Sequence, residues 1–129
     1  MTSASRQHDE DARALRAALR RDLVTAMKAR ESETVSALRS AIAAIDNAEA
    51  VPAAEASQPT TSTHFAGARA GVGATEAARH ELSGGDIRAI LGDQIASYAR
   101  EADGYDAVGQ ADAARRLRDQ ARLLAAYLS

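Results

Sequence analysis

Catalysis, metal binding and phosphate capture each need particular side chains at particular spacings, and this 129-residue chain offers few of them. It has no cysteine, which excludes thiolate nucleophiles, disulfides and cysteine-based zinc sites. Its three histidines, His8, His64 and His80, share no helix face, and none pairs with a carboxylate at ligand spacing, so no metal is expected. No serine sits in a G-x-S-x-G elbow. Release of ammonia from glutamine needs an activated cysteine, or a serine supported by a lysine. Lys28 is the only lysine, and it falls at a helix end among solvated neighbours. The acidic run Asp9–Glu10–Asp11 reads as a helix start, with no pocket to support acid–base work. The glycine-rich "GARAGVG" (67–73) lacks the preceding strand, the Lys-Ser/Thr pair and the following helix of a P-loop, and its composition is that of a linker. No catalytic residue and no cofactor is expected.

What remains is charge. Arg115, Arg116, Arg118 and Arg122 form a positive group interleaved with Asp112 and Asp119, which reads as a solvated, salt-bridged helix face with Asp112 and Arg116 paired four apart. Lys28, Arg30 and Arg39 form a second group, diluted by Glu31 and Glu33, and are the candidate binding residues. Residues 1–50 carry eight basic and eight acidic side chains, and the chain as a whole has a net charge of −2. No segment is a basic domain, so a stand-alone nucleic-acid binder is disfavoured and no DNA partner is expected. Tyr98, Tyr105 and Tyr127 lie on or beside apolar stripes and read as packing residues rather than base-stacking ones.

These groups must be positioned by helices. Alanine dominates the apolar fraction and aromatics are 3%, so the core is built from Leu, Ile, Val and Ala. The length suits one domain. There is no run of about 18 apolar residues, so no membrane span is expected. No secretory or transit segment is read at the N-terminus, and a cytoplasmic location is the default. Residues 1–8 read as a disordered tail, and 9–129 as a single helical domain. Ala12, Leu15, Leu19, Leu23 and Met27 form the first stripe. The acidic run at its start and Lys28 and Arg30 at its end complement the helix dipole. Ser32 caps a second helix, with Val35, Leu38, Ile42, Ile45 and Glu49 on its seam and Ala41, Ala44 and Ala48 beside it, ending at Val51-Pro52. Residues 50–80 lose all periodicity and read as a flexible linker, with a short helical turn over 76–82. Ser83 and Asp86 then make a capping box for a third helix bearing Ile87, Ile90, Leu91, Ile95, Tyr98, Ala102 and Tyr105, stopped by Gly109. Asp112 opens a fourth, with Ala114, Leu117, Ala121, Leu124 and Leu128. Four stripes that bury one another predict an all-α four-helix bundle of two helical hairpins.

The stretch "LRRDLVTAMKARESETVSALRSAIAAIDNAEA" resembles the start of the GatB/YqeY-like family, where a short helix ending in A-M-K-x-[RK]-[DE] precedes one reading L-R-x-x-x-A-x-x-x-x-E. Ala26, Met27, Lys28, Arg30 and Glu31 fall on the first pattern, and Leu38, Arg39, Ile42, Ala43, Asn47 and Glu49 on the second. The C-terminal "YDAVGQADAARRLRDQARLLAAYLS" is similar to the family's second signature at Tyr105, Gly109, Asp112, Ala114, Leu124, Tyr127 and Leu128. Gln110, Gln120 and Ser129 stand where that signature has arginine, glutamate and proline. The similarity covers roughly 13–50 and 80–129, and the alanine-rich, long-linker form looks actinobacterial.

The resemblance implies the family's first helical domain alone, with the amidotransferase-B-like tail that approaches tRNA absent. It also implies a link to tRNA-dependent amidotransferases, whose glutaminase and kinase chemistry lies in other regions. The function expected is therefore a non-catalytic binding or accessory module, engaging a protein complex or tRNA through Lys28, Arg30 and Arg39. The alternatives are activity of the carbon–nitrogen ligase type with glutamine as amido donor, by family analogy, and a structural self-associating bundle.

Overall fold

Alanine, leucine and arginine are strong helix formers, and they fill long stretches of this chain without a proline. The structure, a computed structural model, describes residues 2–50 and 81–129, with side chains from Arg6 onward. Helix α1 spans Thr2–Ala29, α2 Ser32–Ala50, α3 Gly84–Ala107 and α4 Ala111–Ala125, followed by a 3-10 turn at Ala126–Leu128. The hairpins α1–α2 and α3–α4 pack together, α1 on α3 and α2 on α4, with α2 also touching α3. This is the all-α four-helix bundle that the stripes predict. Among the described residues no helix is long and apolar enough to cross a membrane. The linker and most of the turn expected at 76–82 lie outside the described residues. Glu81 and Leu82 are not helical, and Leu82 is buried in the core.

Both hairpins turn by one device. After α3, Gly109 has φ 78°, its N–H donates to the Asp106 carbonyl at 3.0 Å, and the Gln110 N–H donates to the Tyr105 carbonyl at 2.8 Å. After α1, Arg30 has φ 59°, its N–H donates to the Met27 carbonyl at 3.2 Å, and the Glu31 N–H donates to the Ala26 carbonyl at 3.0 Å. Each is a Schellman motif, which needs a left-handed residue just past the helix. Glycine adopts that backbone without cost, whereas a side chain crowds the following carbonyl by about 1–2 kcal/mol. Arg30→Gly is therefore expected to raise stability by about 1 kcal/mol, and Gly109→Ala to lower it by about as much, read from urea midpoints at constant slope.

The caps differ partly from expectation. The Ser83–Asp86 capping box forms as read: Ser83 Oγ accepts from the Asp86 N–H, and the Ser83 N–H donates to Asp86 Oδ2, each at 3.0 Å. Helix α2 begins one residue early at its cap, because the Glu31 carbonyl accepts its first bond from the Val35 N–H at 2.9 Å. Ser32 is thus the first helical residue. Gln110, not Asp112, occupies the cap of α4, with no side-chain bond, and Asp112 sits in the first turn.

The largest correction is at the N-terminus. Helix α1 starts at Thr2 rather than near Asp9, so residues 2–8 of the stretch read as a disordered tail are helical. Nothing between Thr2 and His8 breaks a helix, and the exposed stretch from Arg6 to Glu10 extends it past the bundle without burying a face. Asp9, Glu10 and Asp11 consequently lie inside the helix, away from its dipole. Asp11 has another partner. Arg88 on α3 donates to both its carboxylate oxygens, at 2.6 and 3.0 Å, and that bond holds the Asp11 carboxyl below its usual value.

The core is a leucine–isoleucine layer at one end and an alanine layer at the other. Leu15, Leu19, Leu38, Ile45, Ile87, Leu91 and Leu124 are buried together. Towards the turns the buried positions are Ala26, Ala37, Ala102 and Ala114. The stripes are thus rotated slightly from the sequence reading, since Ala26 is 2% exposed and its neighbour Met27 47%. A methyl side chain lets two backbones approach, so the line of closest contact runs over alanines and the longer side chains stand beside it.

The chain end is tied down by Tyr127, whose hydroxyl donates to Asp22 Oδ2 of α1 at 2.5 Å. Burial first, and that bond second, push the Tyr127 phenol well above its ordinary range. A raised folded value means the contribution is complete below the unfolded tyrosine value near 10 and is lost as pH rises beyond it. The wild-type chain is expected to lose stability above about pH 10 relative to Tyr127→Phe, which lacks the bond and starts about 1 kcal/mol lower at pH 7. Urea unfolding of both proteins at pH 8 and pH 11 measures the difference.

Candidate functional site

The alanine layer shapes the surface at the first turn. With Ala26 and Ala37 closing the interior of the α1–α2 hairpin, Met27 and Val35 stand to the outer side. There they floor an open groove of about 520 Å³, lined also by Arg30, Ser32, Ser36 and Arg39. Two of the three residues singled out from sequence, Arg30 and Arg39, are therefore brought to one groove. Lys28 is exposed on the adjacent position of α1 but does not line it. Val24, 49% exposed, lies three residues before Met27 and four before Lys28, on the same edge of α1.

Lys28, Arg30 and Arg39 share their lack of an ion pair with Arg6, Arg13, Arg100 and Arg116 among the described residues, and differ from most of these in standing together at one turn. Along the outer seam of the hairpin Arg16 pairs with Glu49, and one turn further Arg20 Nη2 lies 3.6 Å from Asp46 Oδ1. Two turns beyond, the same antiparallel register sets Arg39 opposite Met27, with Nη2 4.0 Å from Sδ. Here the arginine stands on α2 rather than α1, and the side chain facing it is a thioether, not a carboxylate. Among the described residues Lys28, Arg30 and Arg39 form no ion pair. Arg30 is also the one non-glycine residue with positive φ among the described residues. Such strained positions concentrate at binding and catalytic sites.

The arginine group on α4 behaves differently from its expected pattern. Asp112 pairs with Arg115 at 3.2 Å rather than with Arg116. Arg118 bridges Asp103 and Asp106 on α3 at 2.9 and 2.7 Å, bonds that raise its already high pKa, and Arg122 pairs with Asp119. Arg116 is left without an ion pair among the described residues and lines a second groove of about 320 Å³ with Tyr105, Leu117, Glu33, Glu101 and Gln120. Ser32 and Ser36 border both grooves, so the two adjoin at the start of α2. Tyr105, read as a packing residue, is 44% exposed here, because Ala102 takes the buried position one turn earlier.

Met27 and Tyr105 are exposed although the stripes place them in the packing. The excess of alanines near both turns is the signal available for the two of them. The choice of Asp112 between Arg115 and Arg116 has no signal in spacing, since both separations are favourable on a helix. Of the histidines, His8 is exposed on α1, and His64 and His80 lie outside the described residues, as does "GARAGVG". Among the described residues no group of three or more His, Asp or Glu side chains is placed to hold a metal ion.

Comparisons with protein-family models, curated proteins and solved structures return no match.

Proposed function

We propose that this chain is a non-catalytic helical accessory module that docks onto a larger protein complex through the Lys28–Arg30–Arg39 corner. The complex is of the tRNA-dependent amidotransferase kind, as the resemblance of the AMKAR and C-terminal stretches to the GatB/YqeY-like family implies. The observation that carries the reading is the groove at the first hairpin turn. Arg30 and Arg39 line it over Met27 and Val35 without an ion pair among the described residues, and the exposed Lys28 stands beside it. Guanidinium groups, hydroxyls and a thioether floor offer a partner charge, hydrogen bonds and apolar contact. Arginine and methionine are also enriched at protein interfaces.

Direct tRNA binding is the second reading, favoured by the three unpaired cations. Against it stand the mixed charges of the adjoining groove, where Glu33 and Glu101 flank Arg116. Phosphate contacts would be weakened by those carboxylates, so tRNA affinity is expected to vanish between low and physiological salt.

The test is binding to immobilised tRNA-dependent amidotransferase. The wild-type chain is expected to bind, and the charge-reversed Lys28→Glu/Arg30→Glu/Arg39→Glu protein to lose at least tenfold in affinity with its helix content unchanged. Equal affinity for the two would remove this corner as the docking surface. Release of ammonia from glutamine by the pure protein, abolished by a single substitution, would instead favour the amidotransferase-type enzyme.

A further inference from the structure

The grooves, the unpaired charges and the exposed apolar side chains converge at one place, and together they describe what fits there. The first groove has an apolar floor, Met27 and Val35, extended along α1 by Val24. Its cations are Arg30 at the turn and Arg39 on α2, with Lys28 outside the lining. Further along the same seam Arg16 and Arg20 of α1 are met by Glu49 and Asp46 of α2, whereas Arg39 of α2 faces the Met27 thioether of α1. A carboxylate for Arg39 or Arg30 has to come from elsewhere.

We infer that the groove receives an amphipathic helix bearing glutamate or aspartate, whose apolar stripe covers Met27 and Val35 and whose carboxylates pair with Arg39 and Arg30. The inference rests on the docking reading above and adds the chemistry of the partner. A helix is the occupant that matches, because its side chains at i, i+3, i+4 and i+7 place apolar and charged groups on adjoining lines, as the floor and the cations do. Nucleic acid fits less well, since a phosphate has no use for the exposed Met27 thioether and Val24. The arginine is the specifying element, as a planar guanidinium takes a carboxylate through two donors. Lys28, outside the groove, contributes to the approach more than to the bound state.

The experiment uses the full chain and a fluorescein-labelled peptide of about 16 residues, long enough to sample helix by itself. The peptide carries leucine and alanine on one face and glutamate along its flanks, and a second version has lysine in place of every glutamate. Anisotropy is read at physiological salt. The acidic peptide is expected to bind the wild-type chain, and to lose tenfold or more on Arg39→Glu. The lysine version is expected to bind the Arg30→Glu/Arg39→Glu protein better than the wild type. That exchange of preference separates charge recognition from a fold defect.

Equal binding of the acidic peptide to wild type and Arg39→Glu would overturn the inference. So would no binding of the peptide by a protein whose attachment to the amidotransferase does depend on the corner, leaving the docking reading standing without its helix. Labelled bulk tRNA that binds at physiological salt and is displaced by neither peptide would overturn the inference in favour of RNA. Loss of both peptide and amidotransferase binding would remove both claims.

Discussion

Leu38→Ala is expected to cost about 2–5 kcal/mol, while Met27→Ala costs less than about 1. Both were placed on apolar stripes by periodicity, but their surroundings differ. Leu38 has no exposed surface and sits in the cluster of Leu15, Leu19, Ile45, Ile87, Leu91 and Leu124, where deletion leaves a cavity that backbone helices cannot close. Met27 is half in solvent and removing it leaves no enclosed void. A small domain has about 5–15 kcal/mol in total, so the Leu38 change consumes a large part of it and the Met27 change does not. Urea denaturation of the two variants is the comparison. Similar midpoints would contradict the assignment of Ala26, rather than Met27, to the interior.

Gly84→Ala is the second large effect, expected to destabilise by about 1–3 kcal/mol through overpacking. Gly84 is buried at the first turn of α3, where a β-carbon would run into the Asp11 carboxylate, and would crowd its γ- and β-carbons as well. The carboxylate has nowhere convenient to go, because both of its oxygens are held by Arg88. Either that ion pair breaks or α3 moves away from α1. Asp11→Gly removes the obstacle along with the pair. In that background Gly84→Ala is expected to be nearly neutral, and the double-mutant cycle reports the coupling directly. A full Gly84→Ala penalty without Asp11 would show that the close approach of α3 is set by something else. The same pair gives a pH test: the lowered Asp11 value means its contribution is present above the ordinary carboxylate range and is lost as pH falls through it.

The bundle was legible because its signals agree across levels. Stripes at three-four spacing, the Ser83–Asp86 box and Gly109 all describe the same four helices. What misled was local chemistry with a tertiary competitor. Asp9, Glu10 and Asp11 look like a helix start, but α1 runs back to Thr2, and Asp11 is used instead in a bond to Arg88, 77 residues away, which no local pattern can announce. Arg30 was read as a dipole-complementing cation and is instead the left-handed turn residue, a role composition assigns to glycine. The candidate corner was legible as charge, from Lys28, Arg30 and Arg39, but not as a groove. Its floor depends on alanines drawing α1 and α2 together and leaving Met27 and Val35 outside. Whether an arginine is paired depends on which of two equally spaced acids it meets, as Arg115 and Arg116 show.

Arg30 links the fold to the proposed role. Replacing it with glycine relieves the turn and removes a cation from the groove, so the variant is expected to be more stable and to bind less tightly, a trade expected of strain kept at a working surface.

The central claim, that the first hairpin turn is the docking surface, is tested most directly by amide hydrogen exchange with and without saturating amidotransferase. The account predicts slowed exchange at the exposed turn and the start of α2, residues 30–36, with the end of α4 unchanged. Slowing confined to the α3 start or to α4, with the α1–α2 turn exchanging as in the isolated chain, would contradict it.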